Sequence, residues 1–487
     1  MAESFLFEED CCDIILAEDG EDKVVDILEA MRNDSVSTAF SGIEACGTSM
    51  NMMRAAFCKR LGIPFEPLAV TFQIEWNREC VAELLPECKA HNTCLFNNIA
   101  SFFVEDLKET IDYLIQHPQM AIEVLSPLLA EKKAMKGTAW CVVHEKECKV
   151  VPCRRHLAGT SCRPWSKKGA GLGAHDPEVL FTLAWVGLML LLENTEITSE
   201  NVLTPGSGSS SSTVMDCGLG SLLLRLLGPL YHMEKVVLSP YMVGDPFNRE
   251  REFIKMVHKK KAAAVISPLS RFCKRFFRMC QWSWKSIFFM HLPEMKGKGV
   301  VENELEMEYQ WACQRPTSRA KELGDELAGD TMDFEAALNT MEFNFLQEYR
   351  RGWPEAAYQL NQDPGSGHGH HSKNEFEMFT LIHNLGLVWS DHVGRWLSPT
   401  EALACQHFPV VPYLHSPDLK LTSFHFDRQG RSGRHIGPQV GNSMHCGVMG
   451  LLQLHSLSEV LHPRIPDLFK NIRLVRPGWM ALSVTGW

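Results

Sequence analysis

A cysteine stands among small residues in the segment Gly159-Thr160-Ser161-Cys162-Arg163-Pro164-Trp165-Ser166. A thiol next to a cation such as Arg163 loses its proton more readily, and the thiolate is the attacking form. Cys162 is one of seventeen cysteines, and a free cysteine is more often a buried structural residue than a nucleophile. Further along, Glu200-Asn201-Val202 offers an acid able to protonate a ring nitrogen.

Upstream lie three stretches with the character of strand ends. The first, Ala39-Phe40-Ser41-Gly42-Ile43, is a small turn containing glycine, which lets a cofactor approach the backbone; such turns are common. The second ends in Ile74-Glu75-Trp76-Asn77, where an acid can take two ribose hydroxyls and an indole can stack on adenine. The third ends in Phe96-Asn97-Asn98-Ile99, whose amides suit the adenine edge. Three such ends in succession point to a nucleoside cofactor.

Elements must hold these residues in place. Val36–Phe40, Leu68–Ile74 and Cys141–Val143 read as strands. Arg78–Leu85, Val104–Gln116 and Pro177–Leu192 have helical spacing. The alternation predicts an α/β domain with a parallel sheet covered by helices. The apolar run Val179–Leu192 is too short to cross a bilayer, which needs about 20 residues, and reads as a buried helix. Residues before Asp34 read as an acidic, poorly patterned head with a short helix at Lys23–Met31.

The chain has 487 residues, of which 45% are hydrophobic and 22% charged, enough for a large domain and a smaller one. A net charge of −11 excludes a generic polyanion binder of the histone kind, though not an enzyme with one basic cleft. Seventeen cysteines behind an acidic N-terminus suggest free thiols in a reducing compartment, so the expected location is intracellular. The stretch from Lys255 to Lys285 interleaves Lys259, Lys260, Lys261, Arg271, Lys274, Arg275 and Arg278 with Phe272, Phe276, Phe277, Trp282 and Trp284. It reads equally as a phosphate-contacting face or as a helix with one solvated side and one packed side. The tracts Gly206–Ser212 and Gly365–Ser372 read as flexible loops. His368, His370 and His371 in the second have no cysteine or acid at ligand spacing, and no paired CxxC occurs elsewhere, so no metal site is expected.

A series of segments, in order along the chain, resembles the motifs of the C5 cytosine-specific DNA methyltransferases. Phe40-Ser41-Gly42 is similar to that family's FSG turn, and Glu75-Trp76-Asn77 to its ribose- and adenine-binding strand end. Ser161-Cys162-Arg163-Pro164-Trp165-Ser166 resembles the catalytic PCQxFS loop, and Glu200-Asn201-Val202 the ENV tripeptide. Gly244 to Arg251 resembles GVPQxRxR, and Ser398 to Pro409 the TPREAxxLQGFP segment. Gln439-Val440-Gly441-Asn442-Ser443 matches the closing QxGN. Each match is short; their collinear order from Phe40 to Ser443 is the signal.

The resemblance implies an S-adenosylmethionine-dependent enzyme of Rossmann-like fold. Its mixed, mostly parallel sheet would carry helices on both faces, with a smaller target-recognition lobe. Residues 1–34 would be an extension, 35–256 the catalytic domain, 257–428 the lobe, and 429–487 a segment returning beside the cofactor turn. Phe40, Ser41, Gly42, Glu75, Trp76, Asn98, Asn442 and Ser443 would hold S-adenosylmethionine. Cys162 would add to C6 of a cytosine flipped out of the duplex, because that atom is unreachable inside the stack. Glu200 would protonate N3, Arg251 would contact O2, and Arg249 would brace the catalytic loop. The implied partners are DNA and S-adenosylmethionine, in a nuclear setting, without membrane or metal. Departures are Ser161 for proline, Arg163 and Phe247 for glutamines, Asn98 for aspartate and Thr400 for arginine. Two rival readings stay open. One is a transfer-RNA methyltransferase, whose CFT-type tripeptide is missing between Val257 and Trp396; the other is an eroded DNA-binding scaffold.

Overall fold

The structure is a computed structural model that describes residues 7–68, 70–166, 172–203, 218–280, 282–289, 304–323, 332–366, 370–381, 386–410 and 439–462. Gly206–Ser212 therefore lies outside the described residues, as do His368 and Lys167.

Seven strands form the central sheet: β1 (Val36–Ala39), β2 (Phe72–Ile74), β3 (Cys94–Phe96), β4 (Arg155–Gly159), β5 (Glu196–Asn201), β6 (Tyr231–Leu238) and β7 (Arg251–His258). Their order across the sheet is β3-β2-β1-β4-β5-β7-β6. The first five are parallel, while β7 runs antiparallel to both β5 and β6. This is a mixed, mostly parallel sheet of Rossmann-like type. Strand order reverses between β1 and β4, which opens a crevice at their carboxyl ends where ligands of such sheets bind.

Side chains alternate across the sheet, so neighbouring residues feed different cores. Leu157 and Phe253 join one core, Ala158 and Ile254 the other. The first core takes helices α1 (Phe7–Glu18), α2 (Glu21–Arg32), α3 (Ala45–Leu61) and, from the far end of the chain, α6 (Cys446–Glu459). The second takes α5 (Val179–Leu192), which is buried on nearly every side. α4 (Arg78–Ala90) packs Leu84 and Cys88 against Leu95 of β3. Among the described residues no helix is long and apolar enough to cross a membrane.

The strands carry buried polar residues, and several of these are paired across elements. Ser37 Oγ lies 2.8 Å from His156 Nδ1, and the Trp185 indole N–H donates to His156 Nε2 at 2.9 Å. Burial pushes the His156 pKa down to about 3, so the ring is neutral. Lys255 of β7 meets Glu196 of β5 at 3.2 Å and donates to Ser456 Oγ of α6 at 2.7 Å. Gln453 of α6 donates to the Cys46 carbonyl and to Ser49 Oγ of α3 at 2.9 and 2.7 Å. The C-terminal segment thus packs beside the helix that follows the first turn.

A separate small core is built from Phe334, Leu346, Tyr349, Trp389 and Trp396, with a three-stranded antiparallel sheet of Ala357–Gln359, Val388–Ser390 and Arg395–Trp396. Arg315 and Glu342 form a bidentate pair within it, at 2.6 and 2.7 Å.

Three expectations need correcting, and one reading left open is narrowed. The acidic head is folded: α1 and α2 place Phe7, Cys11, Ile15, Val24, Ile27 and Met31 in the first core. Cys141 ends the first strand of a hairpin (Thr138–Cys141 with Lys146–Lys149) outside the parallel sheet, and Val142 and Val143 lie in its turn. Much of the basic stretch is committed within the protein. Arg275 pairs with Glu18 and Asp19 at 2.5 and 2.6 Å, Arg278 pairs with Asp10, and Lys259 donates to the Gly228 carbonyl at 2.6 Å. Lastly, the end of the histidine-rich tract is ordered against the small sheet. Gln359 N–H donates to the His370 carbonyl at 2.9 Å, and the His371 ring stacks on Trp353 with 4.0 Å between centroids.

Candidate active site

The first turn uses backbone conformations that side chains rarely take. Phe40, Gly42 and Glu44 have φ of 52°, 57° and 64°, a region unfavourable to L-residues other than glycine. Two carboxylates hold the turn in shape. Glu44 caps α3, accepting from the Gly47 amide at 2.7 Å and the Thr38 hydroxyl at 2.9 Å. Glu75, at the end of β2, accepts from the amides of Gly42 and Asn77, both at 2.7 Å. Burial lifts each pKa to about 7 against these hydrogen bonds. Ser41 is buried, its hydroxyl 2.7 Å from that of Thr38.

Beside this turn lies a cavity of about 650 Å³ lined by Phe40, Trp76, Arg78, Val81, Asn97, Asn98, Ile99, Ser161, Glu178 and Phe181. Trp76 is 68% exposed, so its indole stands open for stacking. Asn98 caps a short 3-10 turn through Oδ1, which accepts from the Ala100 amide at 2.9 Å. Of the expected cofactor residues, Phe40, Trp76 and Asn98 line this space. Glu75 and Gly42 are joined to each other just behind it.

The cysteine loop leaves β4 directly, at the carboxyl end of the strand next to β1. Asn201, at the end of β5, holds it. Its amide nitrogen donates to the Thr160 carbonyl (3.0 Å), the Thr160 hydroxyl (2.9 Å) and the Ser161 carbonyl (3.2 Å). The Ser161 hydroxyl donates to Glu178, which also pairs with Arg163 at 3.2 Å. Of the described cysteines only Cys162 is exposed.

Glu200, in register with Gly159 across the parallel pair, is buried, and Arg251 Nε lies 3.1 Å from its carboxylate. Desolvation of the Cys162 thiol by the surrounding protein and the charge of Glu200 raise its pKa, against Arg251 and Arg249, which lower it. This corrects the expectation that Arg163 would acidify the thiol. Arg163 turns away to Glu178 and Asp176, the latter at 3.6 Å.

Arg249 is buried within electrostatic reach of the same thiol. Its guanidinium donates to the carbonyls of Leu381 and Gly441, both at 2.8 Å, and of Ser443 at 3.1 Å. It braces the closing Gln439–Ser443 segment, and burial lowers its pKa to about 9. Ser443 reaches the site through this arginine, while Asn442 on the same turn is exposed.

The departures acquire local reasons. Phe247 is buried in the first core. Thr400 donates through its amide and hydroxyl to Glu304 at 2.8 and 2.7 Å. Sequence reasoning did not find Asn201 as the anchor of the loop, nor Glu178 and Phe181 in the cavity. Asn201 had a signal, since it lies between two residues already singled out. Glu178 and Phe181 come from α5 and its approach, and nothing in their spacing points to a site.

No protein-family model matches the chain, and no curated protein matches it. Solved structures do superpose on it. An Escherichia coli protein described as a DNA modification methyltransferase encoded within a prophage is 14% identical over 87% of this chain and 98% of its own, with a TM-score of 0.42. The Schizosaccharomyces pombe Dnmt2 methyltransferase is 12% identical over 86% and 97%, with a TM-score of 0.43. The Entamoeba histolytica methyltransferase EhMeth is 13% identical over 87% and 97%, with a TM-score of 0.41. At these values the fold assignment rests on the strand order itself.

Proposed function

We propose that this chain transfers a methyl group from S-adenosylmethionine to C5 of cytosine in DNA, with Cys162 as the nucleophile. One observation carries the reading: an exposed cysteine on a tethered loop adjoins a buried Glu200–Arg251 pair, and the same loop contributes Ser161 to the nucleoside-sized cavity.

The cavity fits an adenosyl group. Trp76 offers an aromatic face, Asn97 and Asn98 offer amides, and Phe40 and Phe181 close the apolar sides. Glu75, which fixes the amides of Gly42 and Asn77 beside the cavity, is the acid proposed to take the ribose hydroxyls. S-adenosylmethionine, when bound, supplies an electrophilic methyl group.

The residues of the chain do the rest. Cytosine C5 is a poor nucleophile until electrons enter the ring. The Cys162 thiolate adds at C6, forming a C–S bond, while Glu200 delivers a proton to N3 to balance the charge. Arg251, already fixed by Glu200, presents its remaining N–H groups to the O2 side. After methylation N3 returns its proton to Glu200, the C5 proton passes to solvent, and the electrons of that C–H bond expel the thiolate by breaking the C–S bond.

The test uses purified protein with tritiated S-adenosylmethionine and, separately, duplex DNA and total transfer RNA. Label in DNA is expected. Label confined to transfer RNA would move the substrate, and cofactor binding without label in either would favour the eroded scaffold.

A further inference from the structure

A second cluster of reactive side chains lies away from this site, at the opposite end of β3. Cys94 opens that strand, while Cys141, His144 and Cys148 all come from the hairpin of Thr138–Lys149. The hairpin turn is already laid on the strand, since the Val142 amide donates to the Leu95 carbonyl at 2.8 Å. Within the turn Glu145 takes a left-handed conformation, φ 50°, and its amide donates to the Cys141 carbonyl at 2.9 Å. That tight reversal brings Cys141 and Cys148 to the same side as His144.

The distances are those of a coordination shell. The sulfurs of Cys94, Cys141 and Cys148 stand 3.5, 3.3 and 3.5 Å from His144 Nδ1. All four ligand atoms lie within 4.8 Å of one another. In a tetrahedral zinc site, with Zn–S near 2.3 Å and Zn–N near 2.0 Å, sulfur and nitrogen ligands sit about 3.5 Å apart. The histidine is also oriented from behind: its Nε2 lies 2.9 Å from Asn92 Oδ1. An amide oxygen only accepts, so Nε2 carries the proton and the Nδ1 lone pair faces the sulfurs.

We propose that Cys94, Cys141, His144 and Cys148 bind one zinc ion, which fastens the hairpin to the edge strand of the sheet. Three thiolates and an imidazole make a soft donor set that selects zinc over magnesium or calcium. Four protein ligands leave no open position, so the ion is structural and takes no part in the chemistry at Cys162. The expectation of no metal site came from searching for paired CxxC. The ligands here are spaced Cys-x2-His-x3-Cys, and a strand distant in sequence completes them.

The experiment measures metal in untagged protein purified without chelators under reducing conditions. About one zinc per chain is expected, retained by Cys313→Ser and lost from Cys94→Ser and Cys148→Ser. Should those variants fail to fold, the wild-type protein still decides. Exchanged with cobalt(II), it should show thiolate-to-cobalt charge transfer and the intense ligand-field bands of a tetrahedral ion. Wild-type protein that takes up neither zinc nor cobalt, or zinc retained undiminished by folded Cys94→Ser and Cys148→Ser, would overturn the proposal. A disulfide between two of the three thiols in reducing buffer would do so as well.

Discussion

At the scale of single residues, the site depends on side chains that hold backbone as much as on those that react. Asn201 makes three bonds to the cysteine loop. In Asn201→Ala the buried carbonyl of Thr160 loses its donor, which costs about 1–3 kcal/mol. Turnover should fall far more than cofactor affinity, as steady-state kinetics set beside calorimetry would show. Trp76 makes the complementary case. Base-on-aromatic stacking is worth about 1–3 kcal/mol, so Trp76→Ala should weaken S-adenosylmethionine binding roughly five- to a hundredfold with stability little changed, because the ring is exposed. Glu44 gives a pH prediction. Its folded pKa is raised to about 7, so its contribution to stability is fully present below about pH 4.5 and is lost as pH rises to 7. The displacement corresponds to roughly 3 kcal/mol. In Glu44→Gln that decline should vanish, so denaturant titrations at pH 5 and pH 8 should show the wild type losing stability relative to the variant.

At the scale of elements, α1 decides what the basic stretch is for. Arg275 meets Glu18 and Asp19, and Arg278 meets Asp10 while its guanidinium lies 5.2 Å from the Phe7 ring centroid. These arginines neutralise the acidic head. A phosphate contact removed from duplex DNA lowers the log–log salt slope of binding by about 0.9. The Arg275→Gln and Arg278→Gln double variant should therefore keep its slope and lose modest stability, since partly exposed pairs are each worth about 1 kcal/mol or less. A slope flattened by nearly two would return both arginines to the DNA face. The same helix shows where sequence reading stopped. Its pattern FEEDCCDIILAE buries Phe7, Cys11, Cys12 and Ile15, but acidic residues between them hid the apolar stripe. β4 (RHLAG) and β5 (EITSEN) were hidden likewise, because their buried His156, Glu196 and Thr198 are polar. β1, β2 and the long apolar α5 were legible because apolar residues dominate them.

At the scale of the molecule, segments far apart in sequence converge on one crevice: the turn after β1, the loop after β4, the end of β5 and the closing segment held by Arg249. Collinear motifs identified most of the pieces, but not how they are joined. That Arg249 serves the closing segment, and that Asn201 serves the cysteine loop, follows from which strands are neighbours. Spacing along the chain does not carry that information. A buried ionic knot binds the periphery to this frame. Asp245 Oδ2 lies 3.0 Å from His407 Nδ1 and 2.9 Å from His445 Nε2, and Glu8 of α1 reaches His407 at 3.3 Å. Burial disfavours a charged His407, but Asp245 and Glu8 outweigh it and raise the pKa to about 10. The whole arrangement has one central claim, that Cys162 attacks a cytosine held by Glu200. Duplex DNA carrying 5-fluorocytosine tests it most directly, because fluorine at C5 cannot leave as a proton after methyl transfer and the C–S bond then persists. With S-adenosylmethionine present, wild-type protein should migrate with the DNA in denaturing gels, while folded Cys162→Ser, still binding cofactor, should not. Wild-type protein that binds both cofactor and this DNA yet forms no denaturant-resistant adduct would contradict the account.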